Sequence, residues 1–239
     1  MKNLILSVAV AMTSTVAFGQ IGNSSAIDQL GVSNSAYVDQ WGSFNQSDID
    51  HIGVSNFSEV YQTGVTNTNY SLAVGVSNSS SAYQTGISNV HASQQLGVSN
   101  TAYSEQTGGF NESYQDQIGV ANNAENYQTG IANYSEQTQV GVDNNTSTSQ
   151  IGVGNASFQS QLGVTNEAGS TQTGLGNLVV QDQVGVSNTS FADQIGIANE
   201  MYSSQLGVGN YVEVLQEGLG HISTNNQVGV GNSATVWQH

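Results

Sequence analysis

From Gln29 onward, apolar and polar positions return in register at every eleventh residue. Units begin at Gln29, Gln40, His51, Gln62, Ala73, Gln84 and onward to Gln216 and Gln227, giving 19 units with no insertion or deletion. The third position is Gly in every unit, from Gly31 to Gly229. The sixth is Asn from Asn34 to Asn232, with His221 the exception. A fixed short period predicts one supersecondary unit stacked on copies of itself.

The unit Gln29–Asp39, closed by Gln40, reads as a strand. Asn34, Ala36, Val38 and Gln40 alternate with Ser35, Tyr37 and Asp39, so the two sets face opposite ways. The carboxylates mark which face is outside. Of the 16 from Gln29 on, 14 sit at position seven, nine or eleven of a unit; Asp143 and Glu217 fall in the turn segment. All ten Tyr obey the same rule. The face of positions six, eight, ten and one carries no acid and is predicted to be the interior.

Eleven is odd, so strict alternation would flip the faces at each unit. The segment x-Gly-x-x between Gln and Asn is predicted to absorb the extra residue, because Gly takes positive φ at little cost. Gly31, Gly53, Gly97, Gly119, Gly185 and Gly229 are such arc glycines. Position four is apolar nearly throughout (Val32, Val54, Val98, Val153, Val230) and is expected to close the end of the core beside the arc. Each unit is then a strand of about seven residues plus an arc.

Position two shows a weaker alternation between successive units. It is aliphatic at Leu30, Ile52, Val74, Leu96, Ile118 and Val140, and Thr at Thr63, Thr85, Thr107, Thr129 and Thr173. Paired units predict one turn from two strands. The expected fold is all-β: a parallel β-solenoid of 22-residue turns, two sheets about 10 Å apart and rungs about 4.8 Å apart, in a rod roughly 45 Å long.

A polar interior costs free energy unless its amides are bonded. Stacked one per rung, each Asn or Gln donates to one neighbour and accepts from the other, as in cross-β assemblies. Gln29, Asn34, Gln40, Asn45, Gln95, Asn100, Gln117, Asn122, Gln183, Asn188, Gln205, Asn210, Gln227 and Asn232 are the predicted ladder positions for self-assembly. The end rungs would leave backbone and amide groups unpaired, as templates for another copy.

Composition changes the picture in three ways. Residues 1–19 read as an export signal: Lys2, the apolar run Leu4 to Met12, and Ala17-Phe18-Gly19 as a cleavage site. Residues 20–28 form a truncated unit and 29–239 the repeat array. Lys2 is the only cation, so a chain starting at Gln20 carries 17 carboxylates and no Lys or Arg. That disfavours nucleic acid and anionic lipid as partners. Cys and Pro are both absent, consistent with an exported ladder fold held without disulfides.

Sites of chemistry do not stand out. His51, His91, His221 and His239 share no face or ligand spacing, and the chain offers no evident Ser-His-acid set or carboxylate pair. We therefore expect no catalytic residues, no metal and no cofactor. The Gly-Gly-x-Gly-x-Asp nonapeptide of calcium-binding β-rolls is also missing.

The runs Gln29-Leu-Gly-Val-Ser-Asn-Ser-Ala-Tyr-Val-Asp-Gln40 and Gln95-Leu-Gly-Val-Ser-Asn-Thr-Ala-Tyr-Ser-Glu-Gln106 resemble the curlin repeat. Curlins are subunits of curli, the extracellular amyloid fibres of bacterial biofilms. The resemblance implies export, passage through a curli-type outer-membrane pore, and polymerisation at the cell surface with itself and other curlin subunits. It also implies that the matched Gln and Asn build the stacking ladders. The chain departs from the family's major subunit in lacking a Gly/Asn-rich stretch before the repeats. It departs from the minor, nucleating subunit in lacking a basic C-terminal end. Repeat number and uniformity favour the fibre-forming role. The nucleating role, and a non-polymerising surface- or ice-binding solenoid built on the broken Thr column, are the alternatives. Stacked carboxylates are expected to oppose assembly at neutral pH and to relax near pH 4 to 5.

Overall fold

The computed structural model describes residues 21–239, so the proposed export signal lies outside the described residues. Twenty strands follow one another, from β1 (Ser24–Val32) and β2 (Ser35–Ser43) to β19 (Ile222–Val230) and β20 (Ser233–Gln238). Odd-numbered strands form one ten-stranded sheet and even-numbered strands the other. Each strand pairs in parallel with the next strand but one, which joins Gln128 to Gln150 and Gly31 to Gly53. The fold is thus a parallel β-solenoid of ten turns, two strands to a turn, as the alternation at position two predicts.

The interior face is the one marked by the absence of acid. In β3 (Gln46–Val54) Ser47, Ile49 and His51 are buried, while Asp48 and Asp50 are only partly so. Position six joins them: Asn45, Asn56, Asn67 and their equivalents through Asn199 are buried at the inner corner of each arc.

Two local expectations are corrected. Strands β1 to β19 run nine residues rather than seven, because the chain stays paired through the glycine and position four. The sharp turn falls at positions five and six instead. Position five adopts left-handed backbone in all 19 units, at φ near 57° for Ser33, Phe44 and Ala121 and 66° for Gly154. Position four does not close the core. Val32, Val54, Val98, Val153 and Val230 are 41–76% exposed, because Asn at position six takes the inward place beside the arc.

The glycine expectation holds for a stronger reason than the arc alone. Gly31 has φ 131°, and a Cβ there would collide with the Gly53 carbonyl oxygen of the next rung. The same collision recurs from rung to rung up to Gly207 beneath Gly229. Both the positive φ and the rung spacing exclude a side chain.

Apolar core residues gather at the two ends of the rod. Ile49, Val60 and Ala82 pack with Ile27, Ala36 and Val38 near the N-terminal end. Val179, Ala192, Met201, Val212 and Val214 pack with Ala234 and Val236 near the other. Between them the interior is mostly Ser, Thr, Asn and Gln.

Candidate self-assembly surfaces

Each interior amide is placed by the strand or arc that carries it. In the even-strand sheet Gln40 Nε2 donates to Gln62 Oε1 at 2.7 Å, and the pattern repeats without a break to Gln216 and Gln238 at 2.8 Å. Each Nε2 also donates to a backbone carbonyl of the facing sheet, as Gln106 does to Val90 at 2.8 Å. In the odd-strand sheet the same ladder joins Gln95, Gln117, Gln139, Gln161, Gln183, Gln205 and Gln227. Gln29 stands apart from it, with Nε2 3.4 Å from His51 Nδ1.

The Asn side chains do more than stack. Asn100 Nδ2 donates to Asn78 Oδ1 at 3.1 Å and to the Gly119 carbonyl at 3.2 Å, while Asn78 Oδ1 also accepts the Asn100 backbone N–H. One side chain therefore ties its own arc to the rungs on both sides. Asn122, Asn188 and Asn210 make the same set. Asn45 donates to the Gly64 carbonyl and accepts the Asn67 N–H. Asn34 donates to the Gly53 carbonyl and accepts the Asn56 N–H. Asn232 reaches Asn210 Oδ1 at 2.9 Å.

The two amide ladders run in opposite senses. Gln donates toward the C-terminal end of the rod and Asn toward the N-terminal end. At the last rung, Gln227 and Gln238 therefore have no Gln above them to receive Nε2, and Asn232 Oδ1 has no Asn above it. At the first rung Gln40 Nε2 is engaged by Gln62 Oε1 and the Ser24 carbonyl and Gln29 Nε2 lies against His51, which leaves each Oε1 as the atom for a donor from below.

A further buried ladder lies outside the predicted set. Gln115, Gln137, Gln159 and Gln181, all at position ten, donate one to the next at 2.9–3.1 Å. Its signal is present in the sequence, since these four Gln recur in every second unit.

The outer faces carry rings and acids. Tyr37, Tyr61, Tyr83, Tyr103 and Tyr127 form a file along the even-strand sheet, centroids 5.2–5.6 Å apart. Tyr114, Tyr134 and Phe158 form a shorter file on the other, at 5.7 and 5.2 Å. Neighbouring carboxylates accept from several phenols, as Glu59 does from Tyr83 at 3.0 Å. The Glu59 hydrogen bond, with burial and charge added, pushes the Tyr61 phenol up to about 12. Asp50 is raised by burial and by Asp48 and Asp28, its neighbour on the adjoining rung; burial also raises Asp116 and Asp193.

His51 and His91 lie inside the rod, and burial lowers them to about 4 and about 3 respectively. His51 Nε2 is 2.8 Å from Ser58 Oγ, whereas neither ring nitrogen of His91 has a partner. His221 takes the place of an arc Asn and His239 lies 3.7 Å from Glu217. Among the described residues no group of three or more His, Cys, Asp or Glu is placed to hold a metal ion, and no helix is long and apolar enough to cross a membrane.

No protein-family model matches the chain, and no curated protein matches it.

Proposed function

We propose that this chain is an exported structural subunit that polymerises end to end into an extracellular, curli-like amyloid fibre of a biofilm matrix. Strands β1 and β2 of one copy add to β19 and β20 of another, continuing the 22-residue register. The observation that carries the reading is the match between the two ends. Continuation places Gln29 over Gln227, Gln40 over Gln238, Ser25 over Ser223, Ala36 over Ala234 and Val38 over Val236. Ile27 over Asn225 and Asn23 over His221 join unlike chemistry.

The opposed ladder directions make this junction head to tail. Gln227 and Gln238 offer N–H groups to incoming Gln29 and Gln40 oxygens, and Asn232 offers an oxygen to the incoming arc. Two C-terminal ends would set donors against donors. The top glycines fit the same junction: Gly218 and Gly229 have no rung over them, yet keep the residue that close stacking demands elsewhere. The fibre-forming role, secretion through a curli-type pore and association with other curlin subunits rest on the repeat resemblance.

Seeded growth tests the reading. Replacing Gln227 and Asn232 by Ala should slow elongation on wild-type seeds at least tenfold, while Gln238→Ala together with Gln40→Ala should weaken both ends. Equal elongation by the Gln227 and Asn232 variant would remove end-to-end addition as the mechanism.

A further inference from the structure

The two long edges of the rod, where the arcs lie, differ in chemistry. At the edge following the odd strands, position two is Leu30, Ile52, Val74, Leu96, Ile118, Val140, Leu162, Val184, Leu206 and Val228. Position four is Val in all ten of these units, from Val32 to Val230. Apart from Val74 and Val140, every one of these side chains is 38–76% exposed. Position five on this edge is Ser, Ala, Thr or Gly, with Asp143 the one acid, so nothing bulky shades the strip. The opposite edge is uneven: Trp41, Phe44 and Phe110 project from it among a partial Thr column and Glu217.

We propose that the aliphatic edge is a lateral interface that pairs two copies of the rod along their length. Three features select a second copy as the occupant. The first is spacing: two files of aliphatic side chains repeat at every rung, about 4.8 Å, and a partner of the same period can seat its methyls between them over all ten turns. The second is charge. The two sheet faces hold all the carboxylates but two, Asp143 on this edge and Glu217 on the other, and the described residues hold no Lys or Arg, so two copies approach with less repulsion edge to edge than face to face. Asp28, Asp50, Asp116 and Asp182 border the strip as a polar rim.

The third feature is area. Twenty aliphatic side chains, most of them half-exposed, leave on the order of 1,000 Å² in water on each rod, beyond the ~300–600 Å² of the largest patch on a typical monomer. Two such strips face to face bury on the order of 2,000 Å², above the ~1,200 Å² at which specific interfaces begin. The pairing does not depend on end-to-end growth. In a fibre, continuation sets Leu30 over Val228 and Val32 over Val230, so the strip stays unbroken across each junction.

Mass per unit length, read by dark-field electron microscopy, tests this. Wild-type fibres should carry two chains per ~48 Å, ten rungs of about 4.8 Å. Exchanging Val76, Val98, Val120 and Val142 for Thr keeps shape and strand preference, and should reduce this to one chain. The same exchange at Val65, Ile87, Ile131 and Val153 on the opposite edge should leave two. If the fourfold variant does not fold by circular dichroism, Val120→Glu alone should still lower the paired fraction at least fivefold. One chain per repeat in the wild type, or two in the aliphatic-edge variants, overturns the proposal. If no fibres form, sedimentation of the soluble rod decides instead. A dimer that becomes a monomer in the edge variant supports pairing, and a wild-type monomer overturns it. Edge-dependent binding to phosphatidylcholine vesicles with unchanged mass per length would assign the strip to lipid and also overturn it.

Discussion

The two sheets carry the same ladder with different continuity. In the even-strand sheet, ten Gln from Gln40 to Gln238 are joined by nine unbroken amide bonds. In the odd-strand sheet the ladder is interrupted by His51 and Ala73 and starts again at Gln95, whose Oε1 is buried with no partner. Histidine keeps part of the bonding, since His51 reaches Gln29 on one side and Ser58 on the other. Alanine keeps none. An amide ladder thus tolerates a substitute that can both accept and donate, while a substitute that can do neither leaves its neighbour's oxygen buried and unpaired. The rod is expected to be weakest between His51 and Gln95.

The largest effect should come from breaking the intact ladder. Gln128→Ala removes a fully buried side chain, strands Gln150 Oε1 without its donor and leaves a cavity. It should cost about 3–5 kcal/mol in denaturant unfolding. A loss below ~1 kcal/mol would show that the ladder is not a major source of stability.

Acid should separate the sheets next. His51 and His91 both belong to the odd-strand sheet, and both are held below their ordinary value by burial. The unfolded chain takes up protons near pH 6.5 while the folded one does not until about 4 or 3. Stability is therefore lost as pH falls from about 6.5, by up to ~1.4 kcal/mol per pH unit for each histidine. Asp50, Asp116 and Asp193 act in the opposite sense: raised in the fold, they favour the folded state as pH falls toward 4. The faster assembly expected at pH 4 to 5 thus competes with histidine charging. His91→Ser installs the residue found at the same position in Ser47 and Ser113. It should raise stability at pH 5 by ~2 kcal/mol and change it less at pH 8. An equal change at both would remove His91 as the acid-sensitive group.

Repair should give the smallest effect. Ala73→Gln extends the odd-strand ladder by one rung below Gln95 and should stabilise by about 1–2 kcal/mol in thermal unfolding. No gain would mean that the gap is already filled by water or by relaxation of Gln95.

Much of this was legible in the sequence. The exclusion of acids from positions one, six, eight and ten located the interior. The alternation at position two indicated two strands per turn, and the Gln and Asn columns indicated the ladders. What stayed hidden lies in the arc. Position four reads as core because it is Val, but the Asn two residues later occupies the inward place, and the valines face out. The left-handed turn at position five is filled by Ser, Phe, Ala, Thr and Asp as well as Gly, so residue type carried little sign of it. Gly154, Gly176, Gly209, Gly220 and Gly231 were the available hint. The cost of that conformation, about 1 kcal/mol at a non-glycine residue, is borne where arc hydrogen bonds such as Ser55 N–H to the Val32 carbonyl at 2.9 Å hold the turn.

X-ray fibre diffraction on residues 20–239, released from denaturant into dilute buffer and followed by seeding, tests the central claim most directly. End-to-end stacking predicts seedable fibres with a sharp meridional reflection at about 4.8 Å and an equatorial one at about 10 Å. A soluble rod, folded by circular dichroism, indifferent to seeds and giving no meridional reflection, would contradict it.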